Sequence, residues 1–105
     1  MPRIDQLLKL HEADPKDADL PYMIGMEHSK LGEFAQAIEW LNKAIATHPH
    51  HHYAYFQKAK AQSQLGDEDD AIATLDQGIA MAQQAGDAKA LGELQELKVS
   101  MSQDY

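Results

Sequence analysis

"LGEFAQAIEWLNKAIATHP", Leu31 to Pro49, is echoed 34 residues later by "LGDEDDAIATLDQGIAMAQ", Leu65 to Gln83. Under that offset Leu31 meets Leu65, Gly32 meets Gly66, Ala37 meets Ala71, Ile38 meets Ile72, Leu41 meets Leu75, Ile45 meets Ile79 and Ala46 meets Ala80. A period of this length, holding glycine, small and bulky apolar residues in phase, marks a stacked repeat architecture. Within each copy the apolar residues Ile38, Leu41 and Ile45, or Ile72, Leu75 and Ile79, stand three and four apart. That spacing draws one apolar stripe along an amphipathic helix. Upstream lie two more helical runs, Leu20 to Leu31 and Tyr53 to Leu65, each closed by a glycine where a helix C-terminus needs left-handed backbone. The unit is therefore a helix, a tight glycine turn and a second helix.

Extending the offset in both directions tiles the chain. Pro49 maps back to Pro15, and Ile38 and Leu41 map back to Ile4 and Leu7. Residues 3–14 thus read as the second helix of an incomplete leading unit, 18–51 as the first full unit and 52–85 as the second. Residues 87–103 read as a closing helix, with Asp87 as its N-cap and Leu91, Leu94, Leu97 and Met101 as its apolar stripe. Six helices make three helix pairs, about the minimum at which stacked repeats hold together.

A 34-residue helical hairpin of this pattern resembles the tetratricopeptide repeat. The family's small residue in the first helix is matched by Gly25 and Ala59, and its alanine at the closest helix approach by Ala37 and Ala71. The bulky residue one turn on is matched by Leu41 and Leu75, the closing small residue by Ala44 and Gly78, and the proline after the second helix by Pro49. There are departures. Pro21 and Tyr55 stand for the usual tryptophan, His28 and Gln62 for a large residue late in the first helix, Glu68 for an aromatic that Phe34 keeps, and Gln83 for the second proline. The resemblance implies an all-α, right-handed helical-hairpin solenoid: a single domain with a concave groove lined by the first helix of each pair.

Composition narrows the function. The chain has 105 residues, enough for one core that buries about 60 to 65% of the unfolded surface. Apolar residues at 44% and charged residues at 25% are those of a folded chain. Absence of cysteine rules out disulfides, thiolate metal sites and a cysteine nucleophile, and fits a reducing, cytoplasmic setting. The N-terminal stretch is too charged for a secretory signal, and no apolar run approaches the roughly 20 residues of a membrane span. A formal charge of -8 with scattered cations argues against nucleic acid. Neither a phosphate-cradling glycine loop nor an arranged nucleophile, acid or base stands out, so no enzyme and no cofactor are expected.

Expectation therefore falls on a protein or peptide partner held in the groove by Tyr22, Met26, Lys30, Tyr53, Phe56, Gln57 and Lys60, with Asp19, Met23, Ser29 and Ser63 on the same faces. Aromatic and methionine side chains supply the contact area that binding surfaces favour; packing against a neighbouring helix is the alternative for Tyr22 and Phe56. Some family members grip the terminal carboxylate of chaperone peptides with lysine, asparagine and arginine. This chain sets Tyr22, Met26 and Gln57 at the corresponding places, so its groove residues depart from that clamp and point to a segment with apolar anchors and basic flanks instead. Self-association through the stripe Leu91 to Met101 is the structural alternative. "THPHHHY", Thr47 to Tyr53, reads as the turn between repeats, leaving His48, His50, His51 and His52 as weak metal candidates. His28 reads as an interior residue and His11 as exposed. "GDEDDA", Gly66 to Ala71, lacks calcium-loop spacing and reads as acids that complement and cap a helix start.

Overall fold

Three glycines set the path of the chain. In the computed structural model, which describes residues 2–102, Gly32, Gly66 and Gly86 take φ of 76°, 84° and 67°. Each closes a helix with the same pair of hydrogen bonds. At the first, Glu33 N–H donates to His28 O at 2.9 Å and Gly32 N–H to Ser29 O at 3.0 Å. Asp67 and Gly66 repeat the pair with Gln62 and Ser63, and Asp87 and Gly86 with Ala82 and Gln83. Carbonyls that the helix end leaves unpaired are thereby satisfied, and the chain reverses within a residue or two.

Among the described residues there are six α-helices and no strand: α1 Pro2–Ala13, α2 Asp19–Lys30, α3 Phe34–Thr47, α4 His52–Gln64, α5 Glu68–Ala85 and α6 Ala88–Ser102. The expectation that the last helix reaches residue 103 lies outside the described residues. Pro49 stops α3, because the residue before a proline is pushed out of helical backbone and His48 is extended at φ −142°, ψ 90°. With Gln83 at the equivalent place, α5 continues four residues past the proline-limited length, to 18 residues against 14.

Each helix packs on the next along the chain, and in addition α2 meets α4 and α4 meets α6, whereas α1, α3 and α5 make no close backbone approach to one another. The even helices therefore form the tighter, inner layer and the odd ones the splayed outer layer. A thickness of 17 Å in a body 42 Å long suits two layers of helices about 8–10 Å apart. None of the described helices is long and apolar enough to cross a membrane.

The core sits where the layers meet. Ala37, Leu41, Ala44, Ala59, Ala71 and Leu75 have no exposed surface. One buried cluster joins Tyr55, Ala59, Ala71, Leu75, Ala82, Ala90 and Leu94; a smaller one joins Leu41, Ala44 and Ala54. Backbones approach so closely that a Cβ on Gly25 would lie 2.9 Å from Leu41 Cγ, and one on Gly78 only 2.8 Å from Tyr55 Cβ. The stripe of α6 turns inward: Leu94 is fully buried, with Leu91, Leu97 and Met101 packed against the same cluster.

Two local expectations are corrected. His11 is half-buried, not exposed: its ring stands edge-on to Trp40 at 5.5 Å, because long side chains bridge the gap between α1 and α3. At α5 the acids Glu68, Asp69 and Asp70 do occupy the first turn, but Asp67 makes no side-chain capping bond. Its backbone stands at φ −92°, ψ 65°. Asp87 does cap, Oδ1 accepting the Ala90 N–H at 3.0 Å.

Candidate protein-interaction face

The inner layer carries the residues singled out for binding, and the structure divides them between two places. The α2/α4 side gathers Tyr22, Tyr53 and Gln57. Tyr22 is half-buried, packed on the Leu41, Ala44 and Ala54 cluster, with its ring 4.8 Å from that of His51. Burial pushes its phenol above the usual value; the neighbouring Tyr53 and the Asp19 charge push the same way, and the Gln57 side chain opposes them. Tyr53 is 39% exposed and stacks on His52 at 4.0 Å. On the α4/α6 side are Phe56 and Lys60. Phe56 is half-buried against the larger cluster, and the Lys60 ammonium lies 5.6 Å above its ring. Tyr22 and Phe56 are thus shared between core and surface, since each bridges its own helix to the next.

Met26 is partly buried on α2, as are Met23 and Ser29, while Ser63 holds the same intermediate position on α4. Lys30 is exposed but tied to its own helix through Glu27 Oε2 at 3.0 Å, and Arg3 approaches the same oxygen at 3.7 Å. The Lys30 hydrogen bond, aided by the charges of Lys30 and Arg3, holds the Glu27 carboxyl below the usual range against a smaller effect of burial.

Four histidines at the junction behave differently from one another. His48 and His50 are exposed, with rings 6.4 Å apart. His51 is tucked in, its side chain 10% exposed and Nε2 3.1 Å from Asp19 Oδ1. Asp19 lies 32 residues away in sequence, so this pairing was invisible there. No group of three or more histidine, aspartate or glutamate side chains converges to hold a metal among the described residues. His28, largely enclosed, places Nδ1 2.8 Å from Glu33 Oε1; at the equivalent position Gln62 accepts the Thr74 hydroxyl at 2.6 Å.

Sequence reasoning overlooked the α6 contribution. Glu93, Glu96, Leu97 and Ser100 face Phe56 across a recess of about 260 Å³. Their spacing of three and four residues was visible, and the apolar stripe marked the buried face of α6, but not which flank of that face borders Phe56 on α4.

A family model described as tetratricopeptide repeat matches residues 30–94, more than half of the chain. The chain belongs to the tetratricopeptide-repeat family. Among curated proteins it is 36% identical over 78 residues to the Protein SGT1 homolog of Oryza sativa subsp. japonica; the match takes in 74% of this chain and 21% of that one, so the chain spans about a fifth of that relative. A tetratricopeptide repeat domain protein from Salinibacter ruber superposes with a TM-score of 0.77 at 32% identity, over 85% of this chain and 90% of the other. The TPR2B domain of yeast Sti1, solved as its pHsp70 complex, gives a TM-score of 0.87 at 27% identity, over 95% and 80% of the two chains. The tetratricopeptide repeat is a fold of protein interaction rather than catalysis.

Proposed function

We propose that this tetratricopeptide-repeat chain is a non-catalytic module that binds a peptide or protein segment along the inner face of α2, α4 and α6. The observation that carries the reading is the recess between Phe56 and Leu97, an apolar floor open along the groove between two inner helices. Tyr53, Gln57 and Lys60 would extend contact beyond it, with Tyr22, Met26 and Lys30 flanking. The Sti1 domain supports peptide binding by this fold. Its ligand class does not carry over directly, because Tyr22, Met26 and Gln57 stand where the family's carboxylate-gripping residues are expected. Fold alone does not choose the partner.

A quantitative pull-down tests this with Tyr53→Ala/Lys60→Ala, exposed positions whose loss leaves the core intact. A protein retained by wild type and lost on the folded variant supports the inner face. Equal retention of every protein by both would remove it.

Self-association through a terminal helix is the second reading, and one surface favours it. Val99 is 55% exposed beside a 600 Å³ hollow on the outer side of α6, lined by Ile79 and Lys98 among others. Because Leu94 is core, Val99→Glu is the variant to use. A dimer by light scattering that this change dissolves would support it, and a wild-type monomer would end it.

A further inference from the structure

The space between α4 and α6 is lined by two kinds of group. Phe56 and Leu97 form an apolar floor, while Glu93 and Glu96 stand on the α6 side. The recess continues past Leu97 and Ser100 into a second one of 470 Å³ bordered by Lys60 and Glu68. Three carboxylates therefore face the channel against one ammonium. Glu68 already accepts the Ser63 hydroxyl at 2.9 Å. Glu93 and Glu96 form no ion pair among the described residues.

Glu93 decides the character of the site. Its Oε1 is shielded from solvent and meets no donor among the described residues, although the residue as a whole keeps part of its surface. A carboxylate oxygen withdrawn from water without a partner costs free energy, and turning the Glu93 carboxylate into the recess to meet a ligand N–H would recover that cost. The two recesses share Leu97 and Ser100 and run on along α4 and α6 as an elongated channel, so its shape suits successive side chains of a longer segment lying in it.

We propose that the α4/α6 channel is a docking site for a peptide segment in which an apolar side chain stands next to arginine or lysine. This deepens the inner-face reading and rests on it. The apolar side chain packs on Phe56 and Leu97, and the cation is taken by Glu93 and Glu96. Arginine fits better than lysine, since a planar guanidinium presents several N–H donors and can engage both carboxylates of an i, i+3 pair. Net charge of -8 draws such a segment in. The polarity is opposite to that of a site for an acidic peptide terminus.

A phage-displayed library of random dodecapeptides, selected on the purified chain at low salt, supplies the probe. The most enriched peptide is then synthesised and titrated by calorimetry against wild type, Glu93→Gln/Glu96→Gln and Tyr53→Ala/Lys60→Ala, each checked for helicity. Enrichment of an apolar residue beside arginine or lysine is expected. The isosteric double glutamine variant should weaken binding by about 10- to 100-fold, the scale of losing hydrogen bonds to a charged group. Replacing the peptide's basic residue with glutamate should abolish binding. Acidic or neutral peptides unaffected by the glutamine changes would overturn the proposal; if their binding were still lost on Tyr53→Ala/Lys60→Ala, the inner-face reading would stand without it. Peptides indifferent to both variants, or no enrichment at all, would overturn both.

Discussion

The two full repeats bring their helices together with different residues at corresponding positions. In the first, α2 supplies the space: Gly25 leaves room for Leu41, and Pro21, buried in the first turn where its missing N–H costs nothing, stands in the tryptophan position. In the second, α4 carries the bulk of Tyr55 and α5 supplies the space through Gly78. By the 34-residue offset, Pro21 and Ala44 correspond to Tyr55 and Gly78. Where the first position grows from proline to tyrosine the second shrinks from alanine to glycine, as expected of interiors packed near crystal density.

Truncating the central leucine of each repeat should have the greatest effect and should separate the two. Leu75 sits in the larger buried cluster and Leu41 in the smaller, so Leu75→Ala should cost more within the about 2–5 kcal/mol typical of such changes. Urea denaturation of both variants checks the order, and a larger loss at Leu41 would reverse our ranking of the repeats. Next come the glycines. Gly78→Ala drives a methyl against Tyr55 Cβ, an atom fixed to the backbone, and should destabilise by about 1–3 kcal/mol despite better helix propensity. Gly25→Ala meets Leu41 Cγ, which can rotate, although Ala37 O at 3.1 Å limits the relief. A smaller loss is expected there, and equal melting temperatures for the two would show that space is not apportioned as described.

The smallest effect concerns Tyr55, whose hydroxyl donates to Pro49 O at 2.7 Å. Tyr55→Phe should cost about 0.5–1.5 kcal/mol, the usual net value of one hydrogen bond. Burial raises the phenol pKa of Tyr55, and mainly burial raises that of Tyr22. A raised folded value means the native state holds these protons more tightly, so their contribution is full below the unfolded pKa near 10 and fades as pH climbs through the folded value. Denaturation curves from pH 8 to 11 should show this alkaline loss shrinking in Tyr55→Phe. A loss of the same size in both proteins would mean that Tyr55 does not titrate differently on folding.

How far the sequence spoke depended on the range of each signal. Gly32 and Gly66 announced their turns because left-handed backbone is a local demand, and the apolar stripes were read directly from helical spacing. Partners distant in the chain were not so visible. Asp19 reaches His51, and His11 reaches Trp40, only through the angle at which neighbouring helices stack, which no spacing encodes. Asp67 and Asp87 make the same point within one residue type: both follow a turn glycine and precede a helix, yet only Asp87 caps. Glu93 and Glu96 went unnoticed because the apolar stripe of α6 marks its buried face but not which flank of it borders α4.

The spacing of the layers has a mechanical consequence. With α2 meeting α4 and α4 meeting α6 while α1, α3 and α5 stand apart, successive helix pairs touch along the inner edge and splay along the outer one. Bending therefore opens or closes the outer gaps while the inner surface stays nearly constant in length, like the neutral line of a flexed beam. On this geometry, side-chain volume added on the outer edge between α3 and α5 would change the curvature of the stack through residues that never touch what lies in the groove.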